Sequence, residues 1–293
     1  MEIVFELDPE EKVWWTKIIK DFRSRYIKPP KTYLTENVNN NAALSEKIKA
    51  DTSGFIYEVR ELCWSIYIQD EVNFHRAVIS YLVQQRKLPN NILNNIIDVN
   101  FPKSDLLLNN RDQLYSRISE IVGDFAGRVM PYFYLLSLST TNSRRARAGQ
   151  TLEAIVDFIN QDIYSFPYEN QSKLGSKFYQ NSGLGKMVDG IIPNQEAFFE
   201  NRAKCMIITM KTTLRERWQE VVEELNRTNI PHIYLLTLDT GLTTNTLDTM
   251  KQHNITIVTY DETAASFKGY KNVVGFNDFF MKEIPHVLSY WNS

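Results

Sequence analysis

The sequence predicts an α/β core preceded by a mostly helical region. Two patterns support this. Up to about residue 130, apolar side chains recur at the three-to-four-residue interval of amphipathic helices, with charges between them. From residue 149 on, short apolar runs alternate with helical stretches of about ten residues. That is the signature of strands joined by crossover helices, and it implies a mixed, partly parallel sheet. At 293 residues the chain suits one large domain, or a domain with an accessory module.

In chain order, Val13, Trp14, Ile18, Phe22 and Tyr26 mark a helix over 10–27, and Lys28-Pro29-Pro30 stops it. The polar stretch holding Asn37 and Asn39–Asn41 reads as a loop. Residues 54–86 form one or two amphipathic helices through Phe55, Val59, Leu62, Ile66, Phe74, Val78, Tyr81 and Leu82. Lys87–Asn91 breaks that pattern. Leu114, Ile118, Ile121 and Val122 mark a further helix over 111–122. Pro131 and the polar run Ser137–Arg145 punctuate a boundary, dividing a helical region, 1–135, from a core, 136–293. Within the core, 149–165 reads as helix, Val188–Pro193 and Cys205–Met210 as strands, and Leu214–Asn226 as helix. His232–Leu238 is a strand, Thr244–His253 a helix, Ile255–Tyr260 a strand and Phe279–Trp291 a closing helix.

Composition excludes several classes. Apolar residues at 43% and charged residues at 23% are ordinary for a globular protein and rule out wholesale disorder. No apolar run approaches the roughly 18–20 residues of a membrane span. The first 12 residues are acidic and lack the basic start of a secretory signal, so a cytoplasmic address is expected. Cys63 and Cys205 are too few and too scattered for a disulfide framework or a zinc site. His75, His232, His253 and His286 stand in no ligand spacing. Lys173–Gly185 carries three glycines without the strand–glycine–helix context of a nucleotide loop, so no nucleotide cofactor is expected. It reads as a loop into the following strand. The 33 basic and 35 acidic residues give a net charge of −2, which argues against a nucleic-acid partner only if the charges are evenly spread.

Three segments carry chemistry. Lys186–Pro193 places one carboxylate, Asp189, in an apolar strand. Met206–Thr213 ends an apolar strand on Lys211, and the next helix carries Glu220, Glu223 and Glu224. A hard cation such as Mg²⁺ takes carboxylate and water oxygens, and phosphodiester hydrolysis uses it to neutralise charge and supply hydroxide. A lysine beside the attacked phosphate positions water. Asp, Lys and Glu at one end of a sheet therefore make a metal-dependent nuclease site. The competing reading is a set of solvated strand ends and a wet helix face.

The run from Met206 through Trp218, together with Asp189, resembles the type II restriction endonucleases that recognise CCGG, CCNGG or CCWGG, the PD-(D/E)XK nucleases of the EcoRII, NgoMIV and BsaWI kind. Thr209 stands where the general pattern has an acid, a departure shared by this subfamily, whose missing acid comes from the following helix. The 21 residues between Asp189 and Lys211 and the 12 between Lys211 and Glu224 suit the shifted motif, with Glu223 the near alternative. Upstream, Ser143–Glu153 is similar to the Arg/Ala/Gly-rich entry to a helix bearing an additional acid, here Glu153. The similarity covers about 143–262 and not the helical region before it.

The resemblance implies a PD-(D/E)XK core, a central mixed sheet flanked by helices. It implies Asp189 and Glu224 as metal ligands for Mg²⁺, Lys211 as a catalytic residue and Glu153 as an assisting acid. Arg215-Glu216-Arg217 resembles the family element that reads C:G pairs in the major groove. The chemistry agrees, since arginine matches guanine O6 and N7 and a carboxylate accepts from cytosine N4. Arg144, Arg145 and Arg147 form a basic cluster suited to DNA phosphates, with a plain surface turn as the other reading. The expected partner is double-stranded DNA. Cutting both strands of a palindrome implies a homodimer or a larger homo-oligomer. A non-cleaving DNA-binding protein on the same scaffold, or a structure-specific repair nuclease, are the alternatives.

Overall fold

The structure, a computed structural model, describes residues 7–85, 111–184, 187–214 and 230–292, with 221–223, 225 and 228 of the intervening segment. Side chains are described in these stretches except at 83–84 and 111–128. The chain forms two compact units, Met1–Lys28 with Ile66–Arg145, and Pro29–Ser65 with Ala146–Ser293. Residues 29–65 thus pack with the sheet-bearing part of the chain, a grouping that differs from a single cut near 135.

The second unit holds a six-stranded sheet in sequence order. Its strands are β1 (Glu169–Asn170), β2 (Gly190–Ile192), β3 (Met206–Lys211), β4 (Ile233–Thr237), β5 (Ile255–Thr259) and β6 (Val273–Gly275). β1, β2 and β3 pair antiparallel, and β3 to β6 pair parallel. This is the mixed sheet the alternation predicts. Every residue of β3 and β4 is buried except Lys211, as in strands covered on both faces. Phe178, Leu247, Met250, Val221 and Leu225 pack on Ile207, Ile233, Leu235 and Ile257 in one core. β1 and β6, two and three residues long, carry too little pattern to be seen beforehand.

Helices α1 (Pro9–Tyr26), α2 (Pro30–Asn39), α3 (Ala42–Ala50), α4 (Thr52–Gln84) and α5 (Arg111–Phe158) precede the sheet. The stretch around Asn37–Asn41 is therefore mostly helical, not a loop. Tyr33, Leu34 and Val38 bury one stripe of α2, and the Asn41 side chain caps α3 by accepting the Leu44 N–H at 3.3 Å. Only Asn40 and Asn41 separate the two helices. Pro131 lies inside α5 and marks no boundary. It removes one helical hydrogen bond without ending a helix of 48 residues.

Shorter helices interleave with the strands, among them α6 (Gln171–Ser182), α7 (Gln195–Asn201), α8 (Thr244–Gln252) and α9 (Asp261–Ala265). α10 (Ile284–Trp291) closes the chain. The expected loop over Lys173–Gly185 is largely α6. Leu174 and Phe178, four apart, bury its stripe; Gly175 kinks it at φ 68°, and Gly183 ends it in the left-handed region at φ 72°.

The first unit, taken by itself, packs Trp15 and Ile19 against Phe74, Val78, Leu82, Tyr132 and Leu136. The Trp15 indole donates to the Tyr132 carbonyl at 3.1 Å. Buried Glu71 accepts from the Tyr67 hydroxyl at 2.6 Å and from two nitrogens of Arg144. Among the described residues, no helix is long and apolar enough to cross a membrane.

One glycine constrains the sheet where it matters. A Cβ on Gly190 would fall 2.3 Å from Cε2 of the buried Tyr168 ring. Gly190→Ala is therefore expected to destabilise the protein by about 1–3 kcal/mol, the usual cost of overpacking. Chemical denaturation measures this, and an unchanged midpoint would show that Tyr168 moves freely.

Candidate active site

The site begins where β2 and β3 part. Gly190 pairs with Ile208, and the Asp189 N–H donates to the Ile208 carbonyl at 2.8 Å. The Met210 N–H, two residues further along β3, is buried. A buried N–H needs an acceptor, and Oδ2 of Asp189 provides it at 2.6 Å. The Thr209 hydroxyl lies 3.5 Å from the same oxygen and donates to the Met187 carbonyl at 2.8 Å. Thr209 braces the two strands instead of supplying an acid. On the other side, Gln171 Nε2 donates to Asp189 Oδ1 at 2.8 Å, and the Gln171 N–H donates to the Asp189 carbonyl at 3.1 Å.

Lys211 ends β3, half-buried, opposite Thr237 of β4. Glu153 reaches the same place from α5. Burial pushes the Asp189 carboxyl up to about 7; the Met210 N–H opposes this, the Glu153 charge adds to it, and Lys211 and the Thr209 hydroxyl oppose it. Glu153 is itself raised, first by burial and then by Asp157, with Lys211 pulling it down. The three groups therefore feel one another's charge.

Behind them stands a layer that sequence reasoning missed. Asp157 follows Glu153 by one helical turn on α5. Burial raises its carboxyl, against a hydrogen bond from Asn170 Nδ2. The Tyr168 hydroxyl is pushed well above its usual value by burial and by the charges of Asp157, Asp189 and Glu153. The four-residue spacing from Glu153 was the one signal that pointed to Asp157; nothing in the sequence singled out Tyr168 or Gln171.

Of the predicted residues, Asp189, Lys211 and Glu153 come together. Glu224, Arg215, Glu216 and Arg217 lie outside the described residues, and Glu223, the alternative to Glu224, is exposed. The basic cluster separates. Arg144 forks onto Glu71, Arg147 is buried with its guanidinium 4.7 Å from the Tyr33 ring centre, and Arg145 is exposed.

Among the described residues, no three His, Cys, Asp or Glu side chains cluster as a metal site. Asp189 and Glu153 still fit a hard cation, which commonly takes one or two carboxylates and completes its shell with water. Burial holds the Asp189 carboxyl up, so a bound cation would favour its ionised form.

The sequence profile described as EcoRII C terminal matches residues 111–280. The type II restriction enzyme SsoII of Shigella sonnei is 30% identical over 285 residues, covering 95% of this chain and 83% of its own. The chain belongs to the EcoRII C-terminal family of type II restriction endonucleases.

Solved structures agree with this endonuclease assignment. Metal-depleted Ecl18kI in complex with uncleaved DNA superposes with TM-score 0.73 at 26% identity, covering 98% of this chain and 87% of that one. The complex with uncleaved, modified DNA gives 0.72 at 26%, over 95% and 85%. The PspGI–substrate DNA complex shares the fold, with TM-score 0.59 at 16% identity over 90% and 94%. The expected restriction-endonuclease fold, with its mixed sheet and helical amino-terminal part, is thus the fold of this enzyme.

The electrostatics set a pH dependence. The folded metal-free endonuclease binds the Asp189 proton more tightly than the unfolded chain does, because its carboxyl is raised to about 7. The stability this contributes is full below the unfolded value of about 4. It is lost as pH rises through about 7. In chelator, the thermal midpoint of the parent should therefore fall over that window relative to Asp189→Asn. Parallel pH profiles for the two proteins would refute the assignment.

Proposed function

We propose that this endonuclease cuts both strands of double-stranded DNA at a palindromic site with a C:G-rich core of the CCNGG type, with CCGG and CCWGG as the related forms. Mg²⁺ is the proposed cofactor, with Asp189 and Glu224 as its ligands and Glu153 assisting. The reading is carried by one observation: a buried carboxylate, a second acid and a lysine meet at the end of β3. The Ecl18kI complexes described as metal-depleted, with DNA uncleaved, support metal dependence for a relative of the same fold.

Hydrolysis adds water at phosphorus and breaks one P–O bond. A bound divalent cation supplies charge neutralisation and an acidified water. The chain supplies the rest. Lys211 holds the attacking water and offsets charge on the phosphate oxygens. The Met210 N–H and Gln171 fix the Asp189 carboxylate from both sides, so that its remaining lone pairs face the site. Burial excludes bulk water and strengthens each of these interactions.

Base reading is assigned to Arg215 and Arg217 on guanines and Glu216 on cytosines. Of the basic cluster, exposed Arg145 is the best candidate for a phosphate contact, since Arg144 and Arg147 have partners within the protein. Two sites related by a twofold axis imply a homodimer or a larger homo-oligomer.

Plasmid cleavage with and without Mg²⁺ tests the reading. Lys211→Ala should cut at least about 10²-fold more slowly, the scale of losing one transition-state contact, with duplex binding unchanged. Normal cutting by that variant would remove Lys211 from the chemistry. Cleavage of DNA of known sequence gives the recognition site from the fragment pattern, and cuts at junctions or lesions instead would point to a repair nuclease.

A further inference from the structure

The two acids that come together stand on separate elements, Glu153 on α5 and Asp189 at the entry to β2. A side chain that none of the proposed chemistry uses ties those elements together. Asn170 ends β1 and pairs with Gly190, the residue after Asp189. Its Nδ2 donates to Oδ2 of Asp157 at 2.5 Å. Its Oδ1 accepts the Lys173 N–H at 3.2 Å and the Ser172 hydroxyl at 2.8 Å, which caps α6. An amide suits both ends, because its nitrogen donates to a carboxylate while its oxygen accepts an N–H. Asp157 stands one helical turn beyond Glu153, and Gln171 follows Asn170 directly.

We propose that Asn170 and Asp157 form a clamp that sets the spacing of Glu153 and Asp189, and that both are positioning residues for cation binding. The inference rests on the reading of Asp189 and Glu153 as acids that hold Mg²⁺. β1 needs such a tie, since it is two residues long and makes two ladder pairs, Glu169 with Ile191 and Asn170 with Gly190. Glu169 Oε2 accepts the Gln195 N–H at 2.9 Å, which secures β1 to α7. Asn170 secures it to α5. Its neighbour Gln171 then holds Asp189, with its N–H on the carbonyl at 3.1 Å and its Nε2 on Oδ1 at 2.8 Å. A short chain of bonds thus runs from the turn of α5 beyond Glu153 to the carboxylate of Asp189. A cation that takes oxygens from both acids depends on their separation. Groups that orient metal ligands from behind are commonly worth roughly 10–100-fold in affinity or activity. Releasing the Asn170–Asp157 bond frees α5 to move relative to β2, which weakens cation binding more than it slows the reaction at saturating cation.

The test uses the full-length enzyme with Mg²⁺ as the probe. Two readouts report its binding: the rise of the thermal midpoint with Mg²⁺ in the absence of DNA, and the Mg²⁺ concentration for half-maximal plasmid cleavage. Asn170→Ala and Asp157→Ala should each move both to roughly ten-fold higher Mg²⁺. Much of the parent cleavage rate should return at saturating Mg²⁺, and duplex binding in chelator should be unchanged. The double alanine variant should cost no more than either single one, because both remove the same bond. Asn170→Asp keeps the α6 cap, since aspartate caps as well as asparagine, but sets an oxygen against Asp157. It should match the alanine variant and serves if that variant folds poorly. Asp157→Asn keeps an acceptor for Asn170 and should retain the parent's Mg²⁺ dependence.

A loss of stability alone lowers the midpoint at every Mg²⁺ concentration and leaves half-saturation where it was. That result in the Asn170 variants, with the Mg²⁺ response lost in Asp189→Ala, overturns the clamp and leaves the ligand reading standing. An Asp157→Asn variant as weak as Asp157→Ala shows that the Asp157 charge itself acts on the cation, which also overturns the clamp. A parent-like Mg²⁺ response in Asp189→Ala overturns the ligand reading, and the clamp with it.

Discussion

The hydrogen bond from the Met210 N–H to Asp189 Oδ2 satisfies the sheet and builds the site at once. β2 and β3 diverge beyond Gly190, which leaves a buried amide on β3 without a strand partner. An uncharged side chain with one acceptor would satisfy that amide equally well. A carboxylate also leaves lone pairs over for a cation and brings a negative charge next to Lys211. Tyr168, packed on Gly190, and Gln171, bonded to both the backbone and the side chain of Asp189, then fix the acid from its other sides. Moving Asp189 would break a backbone interaction of the sheet, so the acid is held far more tightly than an exposed ligand would be.

This arrangement conflicts with stability. Asp189, Glu153 and Asp157 are three acids in or beside one partly dry place, and each is raised by burial. Glu153 and Asp157, one turn apart on α5, also repel each other. A fold selected only for stability would pair these groups or replace them, because buried charge without a partner is costly. The positive charge they call for comes from Lys211 and, in the proposed working state, from the metal. Metal binding should accordingly stabilise the folded enzyme, by mass action on the state that holds the acids in place.

The sequence made the core of this site legible and left its supports obscure. Asp189 and Lys211 stood out because each is a charged residue at the edge of a long apolar run, and such runs become interior strands. Glu153 was found through the resemblance alone, and the interior Asp157 beside it went unnoticed because helical acids usually face water. Asn39–Asn41 looked like loop because asparagine is common in turns, but Tyr33, Leu34 and Val38 were enough to bury α2. Arg144 and Arg147 looked like a DNA-facing pair because charge clusters are read as surface. Glu71, far away in sequence, claims the first, and the Tyr33 ring covers the second. Long-range partners decide these cases, and no local pattern reports them. The net charge of −2 excluded no nucleic-acid partner for the same reason, since a total says nothing about where the charges sit.

The mixed topology explains why the site lies where it does. In an all-parallel sheet, every strand would deliver its carboxyl end to the same edge, where α/β proteins commonly bind ligands. Here β3, β4 and β5 do so, bringing Lys211, Thr237 and Thr259 to that edge. β2 runs the other way, so its start, not its end, meets the end of β3. That reversal is what lets an acid entering one strand face a lysine leaving the next, with α6 supplying Gln171 beside them. The chain leaving β3 then meets Asp239, whose Oδ2 accepts the Leu214 N–H. A shift of β4 relative to β3 would move Lys211, which the ladder holds opposite Thr237, away from the acids it faces.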